Sequence, residues 1–519
     1  MLIDSKSKNN KPSWAEEKLS QIPTMVSDIS RKISEYRKSY LELVKDAEVF
    51  FEDYPQNYRQ LNALKRKVKT YQGQIEYIEN YRKDKGKYPS IKGQPSVQRY
   101  MARLVAQQTQ CDNELRALED ELRVKSNERY EHLDQLTDYM LNLLNGERTF
   151  SQFLGTIALS TPSPKEKVRH IRNERYKPIY ITALTIALFE ELRLKSTFVT
   201  QYLKEELDKL FPKGERFSLM VDKGLNGASN LTFNPMPADI KMAYRENVLK
   251  PIAKAALLQS IGMHSPEASQ LLGDDRYRKL NHKERTKLLA IIEKKTADYI
   301  KLGVGVPTIK YVSRAHKDVF DSHERRQLDF MLQILESLKA ERHELGDLLR
   351  IPMTYASFLL STKEDFDYQQ IYRAYDILDQ GRVDKHYRAE HVTAFLNMVG
   401  RFPLGSGLYV IQQESGQIEK AIVSSLYPDN VDEPICKIIT RRQIQFLSQT
   451  ELIISKKSNL FFEECREDSH YDSELFLLRY KNEYTWNATD VWENQVPAIE
   501  FWKRDDKRRY NGVFHSNSY

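Results

Sequence analysis

The sequence predicts a mainly α-helical protein with a short antiparallel β segment towards the C-terminus. Apolar residues in the N-terminal third recur in steps of three and four. The middle of the chain keeps helical spacing between charged faces. Strand-like alternation punctuated by Gly and Pro is confined to the region after residue 400. A length of 519 residues suggests two to four domains. The expected division is a helical arm over 1–150, a helical segment with a long irregular loop over 151–244, an all-helical domain over 245–400, and a β-rich tail with a C-terminal lobe over 401–519.

In the arm, Ile22, Val26, Ile29, Ile33, Tyr36, Tyr40, Leu43, Ala47 and Phe50 form a heptad seam. It is expected to stop at "DYP" (53–55), because proline ends a helix. A second seam, Leu61, Leu64, Val68, Tyr71, Ile75 and Ile78, breaks at the Gly- and Pro-rich turn "KDKGKYPSIKGQPS". A third runs through Val97, Met101, Leu104, Gln108, Cys111, Leu115, Leu118 and Leu122, loses register, and resumes near Leu136 to Leu144. The second and third helices are expected to fold back as an antiparallel pair. Such seams suit either an intramolecular bundle or a coiled-coil arm for oligomerisation or partner docking. The seam lengths do not match within one chain, which favours a partner helix, most simply in a homodimer.

"STPSPKEK" (160–167) reads as a linker, with helices resuming over 171–210. The most apolar stretch, "IYITALTIALF" (179–189), has only 11 residues and is bounded by charge. A bilayer span needs about 20, so a buried helix is expected and membrane insertion is not. Residues 211–239 read as an irregular connection without a phosphate-cradling glycine pattern. After residue 440, alternation suggests further strands. Trp486, Trp492 and Trp502 suit either a packed lobe or an aromatic contact surface for a protein partner, and the last residues read as a flexible tail.

Composition limits the function classes. Hydrophobic residues at 40% and charged residues at 29% fit a soluble globular protein with charge-rich helices. The net charge of +7 is the small difference between 80 basic and 73 acidic residues, so it gives no argument for nucleic acid. The basic run "KRKVK" (65–69) has no aromatic interleaving and reads as a solvated face. Cys111, Cys436 and Cys465 lack CxxC spacing, and "MLIDSKSKNNKPSW" lacks the apolar segment of a secretory signal. A cytoplasmic location is expected.

Several ordered landmarks lie between about 245 and 440: "AALLQSIGM" (255–263), "KLNHKERTKLLAIIEKKTADYI" (279–300), "SHER" (322–325), "LLRIPMTYASFLLS" (348–361) and "NMVGRFPLGSGLYVIQQESGQIEKAIVSSLYPDNVDEPICKIIT" (397–440). In the last, Pro403 and Gly405 open the segment, "LYVIQ" is strand-like, Gly416 marks a hairpin and Pro434 precedes the final strand. In order and spacing these stretches resemble the HD-GYP family, bacterial phosphodiesterases that hydrolyse cyclic di-GMP. The resemblance implies a central all-helical HD-like domain followed by the family's closing β-rich segment.

The chemistry that the resemblance implies is missing from the residues. Hydrolysis on that fold needs two or more metal ions held by imidazoles and carboxylates. Gln259 and Ser260 stand at the family's His-Asp positions, and Met263 replaces the lysine that would meet a phosphate. Thr296 falls where the next histidine is expected, Met353 where a late helix supplies its aspartate, and Ala356 at a second aspartate position. "SHER" resembles the family's His-His-Glu, so His323 and Glu324 stand as remnants, with His316 a competitor for that alignment. The Gly-Tyr-Pro signature is absent, and an amphipathic helix follows instead. Across all eleven histidines there is no His-Asp dipeptide and no His-x-His or His-x-x-x-His pair. Gly-x-Ser-x-Gly, P-loop and Gly-x-Gly-x-x-Gly patterns are absent too.

The expectation is therefore a pseudoenzyme without metal or cofactor. It would act as a scaffold or regulatory module for a protein partner in a bacterial signalling or surface-assembly system. The alternative is a sensor that binds cyclic di-GMP without cleaving it, which the loss of lysine at Met263 disfavours. A phosphodiesterase with a divergent metal site stands further off.

Overall fold

The computed structural model describes residues 23–144, 147–160, 169–212, 214–215, 217, 236–273, 275–366, 368–412, 416–439 and 451–469. It is mostly helical, with one small antiparallel sheet near the C-terminus. Most of the 160–167 linker and of the 211–239 connection lies outside the described residues, as do the three C-terminal tryptophans and the tail.

Two helices dominate the first third. Helix α1 (Pro23–Lys85) runs for 63 residues, about 95 Å at 1.5 Å per residue. Helix α2 (Val97–Leu143) returns antiparallel to it, capped by Ser96, whose Oγ accepts from the Arg99 N–H. Cross-helix pairs fix the register. Ser39 meets His132 at 2.8 Å, Asp46 meets Arg129 and Lys65 meets Glu119 at 2.9 Å. The expected stop at "DYP" is wrong: α1 continues through Pro55. Proline removes one backbone donor, but the flanking turns are held from outside. Phe50 and Phe51 pack on Tyr299, Tyr54 stacks on Phe50, and Arg59 Nε donates to the Pro55 carbonyl. The first two seams are therefore one helix.

The third seam is likewise one helix, and its lost register has a physical reason. Between Leu122 and Leu133, α2 turns polar side chains onto the rest of the molecule. Ser126 donates to the Val304 carbonyl and Asn127 to that of Thr308, while Tyr130 donates to Glu324. Apolar periodicity fails there because the partner surface is polar.

Beyond these come α3 (Glu147–Ser160), α4 (Arg169–Lys195) and α5 (Gln201–Leu210). Helix α4 is the centre of the fold. Ile179 to Phe189 is buried all round, as a helix apolar on every side should be. Its buried hydroxyls stay satisfied, Thr182 donating to the Pro178 carbonyl and Thr185 to that of Ile181. No described helix is long and apolar enough to cross a membrane.

Helix α6 (Ala238–Tyr244) passes through a π turn, Arg245–Leu249, into α7 (Lys250–Leu258). Pro251 lacks an N–H, and the wider turn just before it lets Lys250 N–H reach back five residues to the Arg245 carbonyl. Next come α8 (Pro266–Leu272) and α9 (His282–Asp298), the latter opened by a capping box in which Asn281 and Glu284 bond each other's backbone N–H. Helices α10 (Arg314–Glu336), α11 (Glu344–Leu359), α12 (Arg373–Val383) and α13 (Ala389–Val399) complete the helical part.

Strands β1 (Gly407–Ile411), β2 (Ile418–Ser425), β3 (Ile435–Ile439) and β4 (Leu452–Ile453) pair antiparallel in chain order. Gly407 lies opposite Ile422, and a bulge interrupts β2 between Val423 and Ser425. The strand expected at "LYVIQ", the hairpin at Gly416 and the strand after Pro434 are all present. Among the described residues after 440, the further strand is β4, followed by the short helix α14 (Glu463–Asp468). The sheet is tied to α3, where Ser151 Oγ accepts from the Leu426 N–H. One buried apolar cluster extends from Ile33 to Ile454 and crosses the expected boundaries at 150, 244 and 400.

Candidate functional site

Helix α7 leads directly into "LLQSIGM". The helix ends at Leu258, and Ile261–His264 form a single 3₁₀ turn rather than a continued helix. That turn lies against α9 at very short range. A Cβ on Gly262 would overlap the Ile292 carbonyl and stand 2.8 Å from the Thr296 nitrogen, so only glycine fits. The Gly262 N–H donates to Thr296 Oγ1 at 3.1 Å, inside the core. Gln259 Nε2 donates to Ser260 Oγ at 3.3 Å. The structure thus brings Thr296 to "LLQSIGM", and the side chains found there bond one another and the backbone.

The other sequence candidates are dispersed. Met263 is half-buried at the turn. Met353 lies half-buried against the core on α11, and Ala356 is fully buried one turn on. His323 and Glu324 sit on α10 but face α2 and α6–α7. Glu324 accepts from Tyr130 Oη at 2.7 Å, and His323 lies 2.9 Å from Gln327, which also donates to the Glu246 carbonyl. No hydrogen bond or ion pair joins His323 or Glu324 to Gln259, Ser260, Thr296 or Met353 among the described residues. His316 is exposed near the start of α10, where its Nδ1 accepts from the Val312 N–H.

Beside Glu324 lies a polar cluster that the sequence reading missed. Lys250 and Lys254, one turn apart on α7, are both buried. Lys250 is ion-paired with Asp134, Asp138 and Glu246 at 2.8–3.0 Å, and Lys254 with Asp134 at 2.6 Å. The Lys254 ammonium also lies 4.4 Å from the Tyr130 ring centre. Burial penalises the Lys250 cation, but hydrogen bonds from Glu246, Asp134 and Asp138 outweigh it and hold the amine well above the usual range. Burial likewise opposes the Asp134 carboxylate, and Lys254 and Lys250 overcome that to hold its pKa down. Every charge is answered, so the cluster fastens α2 to α7 and leaves no free acid, base or nucleophile. The available signal was a lysine pair four residues apart inside "VLKPIAKAALL", where charge on an apolar helix demands partners.

Among the described residues, no group of three or more His, Cys, Asp or Glu could hold a metal ion. The buried thiols are poor nucleophiles. Burial pushes Cys436 well up and Cys465 up to about 11. In comparisons with known proteins, no family model, no curated protein and no solved structure matches the chain. The HD-GYP resemblance rests on the quoted stretches alone.

Proposed function

We propose that this chain is a non-catalytic, HD-GYP-like protein that serves as a scaffold or regulatory interaction module, in a bacterial signalling or surface-assembly system. The observation that carries the reading is the contact between Gly262 and Thr296. A position where the resemblance calls for a metal-binding imidazole holds a hydroxyl already bonded to the backbone, at a crossing too tight for a Cβ. Two further positions, where the resemblance calls for aspartates, hold Met353 and Ala356, which bind no hard cation, and Met263 stands where a lysine would meet a phosphate.

The projecting part of the α1–α2 hairpin supplies a surface for a protein partner. Past Tyr54, α1 leaves the main core for about 45 Å. The hairpin exposes Tyr58, Tyr77, Val105 and Val124 along its length.

The test is hydrolysis of cyclic di-GMP by the full chain with manganese or iron, beside calorimetry with the same nucleotide. No turnover and no binding is the expected result. Micromolar binding without turnover would replace the scaffold with a sensor, and turnover abolished by chelator would refute both.

A further inference from the structure

We propose that the tip of the α1–α2 hairpin is an electrostatic docking site for the anionic surface of a phospholipid bilayer, met end-on. Residues 82–103 hold seven Lys and Arg against the single acid Asp84, so this short stretch carries nearly all of the chain's net +7. All seven are exposed. None of them forms an ion pair among the described residues. Lower on the same hairpin, cations are answered: Lys65 by Glu119, Arg123 by Asp120 and Lys125 by Glu121, at 2.8–2.9 Å.

Contacts within the tip bring these charges to one end. Tyr88, Ile91, Val97, Tyr100 and Met101 pack around Ile75, Ile78 and Leu104, which closes the turn onto both helices. The Arg82 guanidinium lies 4.9 Å from the Tyr88 ring centre, which holds the turn carrying Lys87 against the end of α1. Tyr100 Oη donates to Gln74 Oε1 at 3.5 Å, so the start of α2, with Arg99 and Arg103, stands against the last turns of α1. Arg82, Lys83 and Lys85 occupy the last turn of α1 and point in different directions around it, at about 100° per residue. The charge therefore caps the end of an arm and lines no groove.

Cations at the C-terminal end of α1 are favoured by its dipole. Arg99, by contrast, lies in the first turn of α2, where positive charge is disfavoured and no acidic residue offsets it. Crowded like charges repel, and no contact inside the chain relieves them; an anionic partner does. The two rings between Arg82 and Arg103, Tyr88 and Tyr100, are turned onto the tip's own core. The cap thus gives bases no open stacking platform and a nucleic-acid backbone no groove to follow. A flat array of lipid phosphates suits charges that point outward all round one end. No large apolar side chain between 82 and 103 is exposed, so the contact is with headgroups and nothing enters the hydrocarbon. The inference goes beyond the scaffold reading and does not rest on it.

The test is sedimentation of the full chain with vesicles of phosphatidylglycerol and phosphatidylcholine in equal parts, against phosphatidylcholine alone, at physiological salt. Binding is expected to the anionic vesicles only. Each lysine near such a surface contributes about fivefold, so Lys87→Gln combined with Lys92→Gln should weaken binding roughly 25-fold. The thermal midpoint of that variant should not move, because both side chains are exposed in the turn. Lys67→Gln combined with Lys69→Gln lies about 24 Å or more behind the end of α1, beyond the Debye length of about 8 Å. That variant should change binding by less than about twofold. Equal binding to neutral vesicles, or none to either, would overturn the site, and so would equal losses in the two double variants. Double-stranded DNA or single-stranded RNA bound more tightly than the vesicles, through Lys87 and Lys92, would overturn the bilayer and assign the tip to nucleic acid.

Discussion

Thr296 concentrates the residue-scale account. Its hydroxyl accepts the buried Gly262 N–H, so Thr296→Val strands that donor and should cost about 1–3 kcal/mol. Thr296→Ser keeps the oxygen and should cost less. Gly262→Ala should cost about 2–3 kcal/mol, because the clash is with backbone and no flexible side chain can yield. Urea unfolding of the three variants checks both statements, and a neutral Gly262→Ala would mean that the turn does not lie on α9. The sequence singled out positions 259–263 and 296 as chemically altered but gave no sign that they touch. That required the crossing of two helices. It missed the Lys250–Lys254 cluster because its partners, Asp134 and Asp138, lie more than a hundred residues earlier in a stretch read only for its failing seam.

At the scale of elements, the apolar seams were legible and their ends were not. Proline was read as a terminator at position 55, yet packing of Phe50 and Phe51 on Tyr299, with Tyr54 stacked on Phe50, keeps α1 helical. Pro55→Ala should therefore stabilise the protein by about 1–3 kcal/mol, by restoring the missing N–H bond to the preceding turn. Thermal unfolding measures it, and a loss of stability would show that the packing needs the bend proline imposes. Beyond Tyr54 the hairpin closes on itself around Ile75, Ile78 and Leu104. Replacing residues 59–122 by a short turn should leave the thermal midpoint of the remaining chain nearly unchanged. A collapse of that midpoint would mean that the hairpin tip supports the core. The β segment was read well, because Gly416 and Pro434 mark its hairpin and its last strand.

For the whole molecule, helix-dominated architecture followed from composition and periodicity, whereas the continuous core did not. Cross-chain contacts such as Leu426 on Ser151 carry no local signal. Helix α2 pairs with both halves of α1, a long-range pairing that no local spacing signalled. On the proposed function, packing and internal hydrogen bonds occupy the positions where the HD-GYP family would hold its metal ligands. The most direct test is the metal content of the full chain, measured by plasma mass spectrometry after anaerobic loading with manganese or iron and desalting. The expected result is far less than one ion per chain, with no change in thermal midpoint on loading. Two ions per chain, retained through desalting and removed by chelator with a fall in stability, would contradict it.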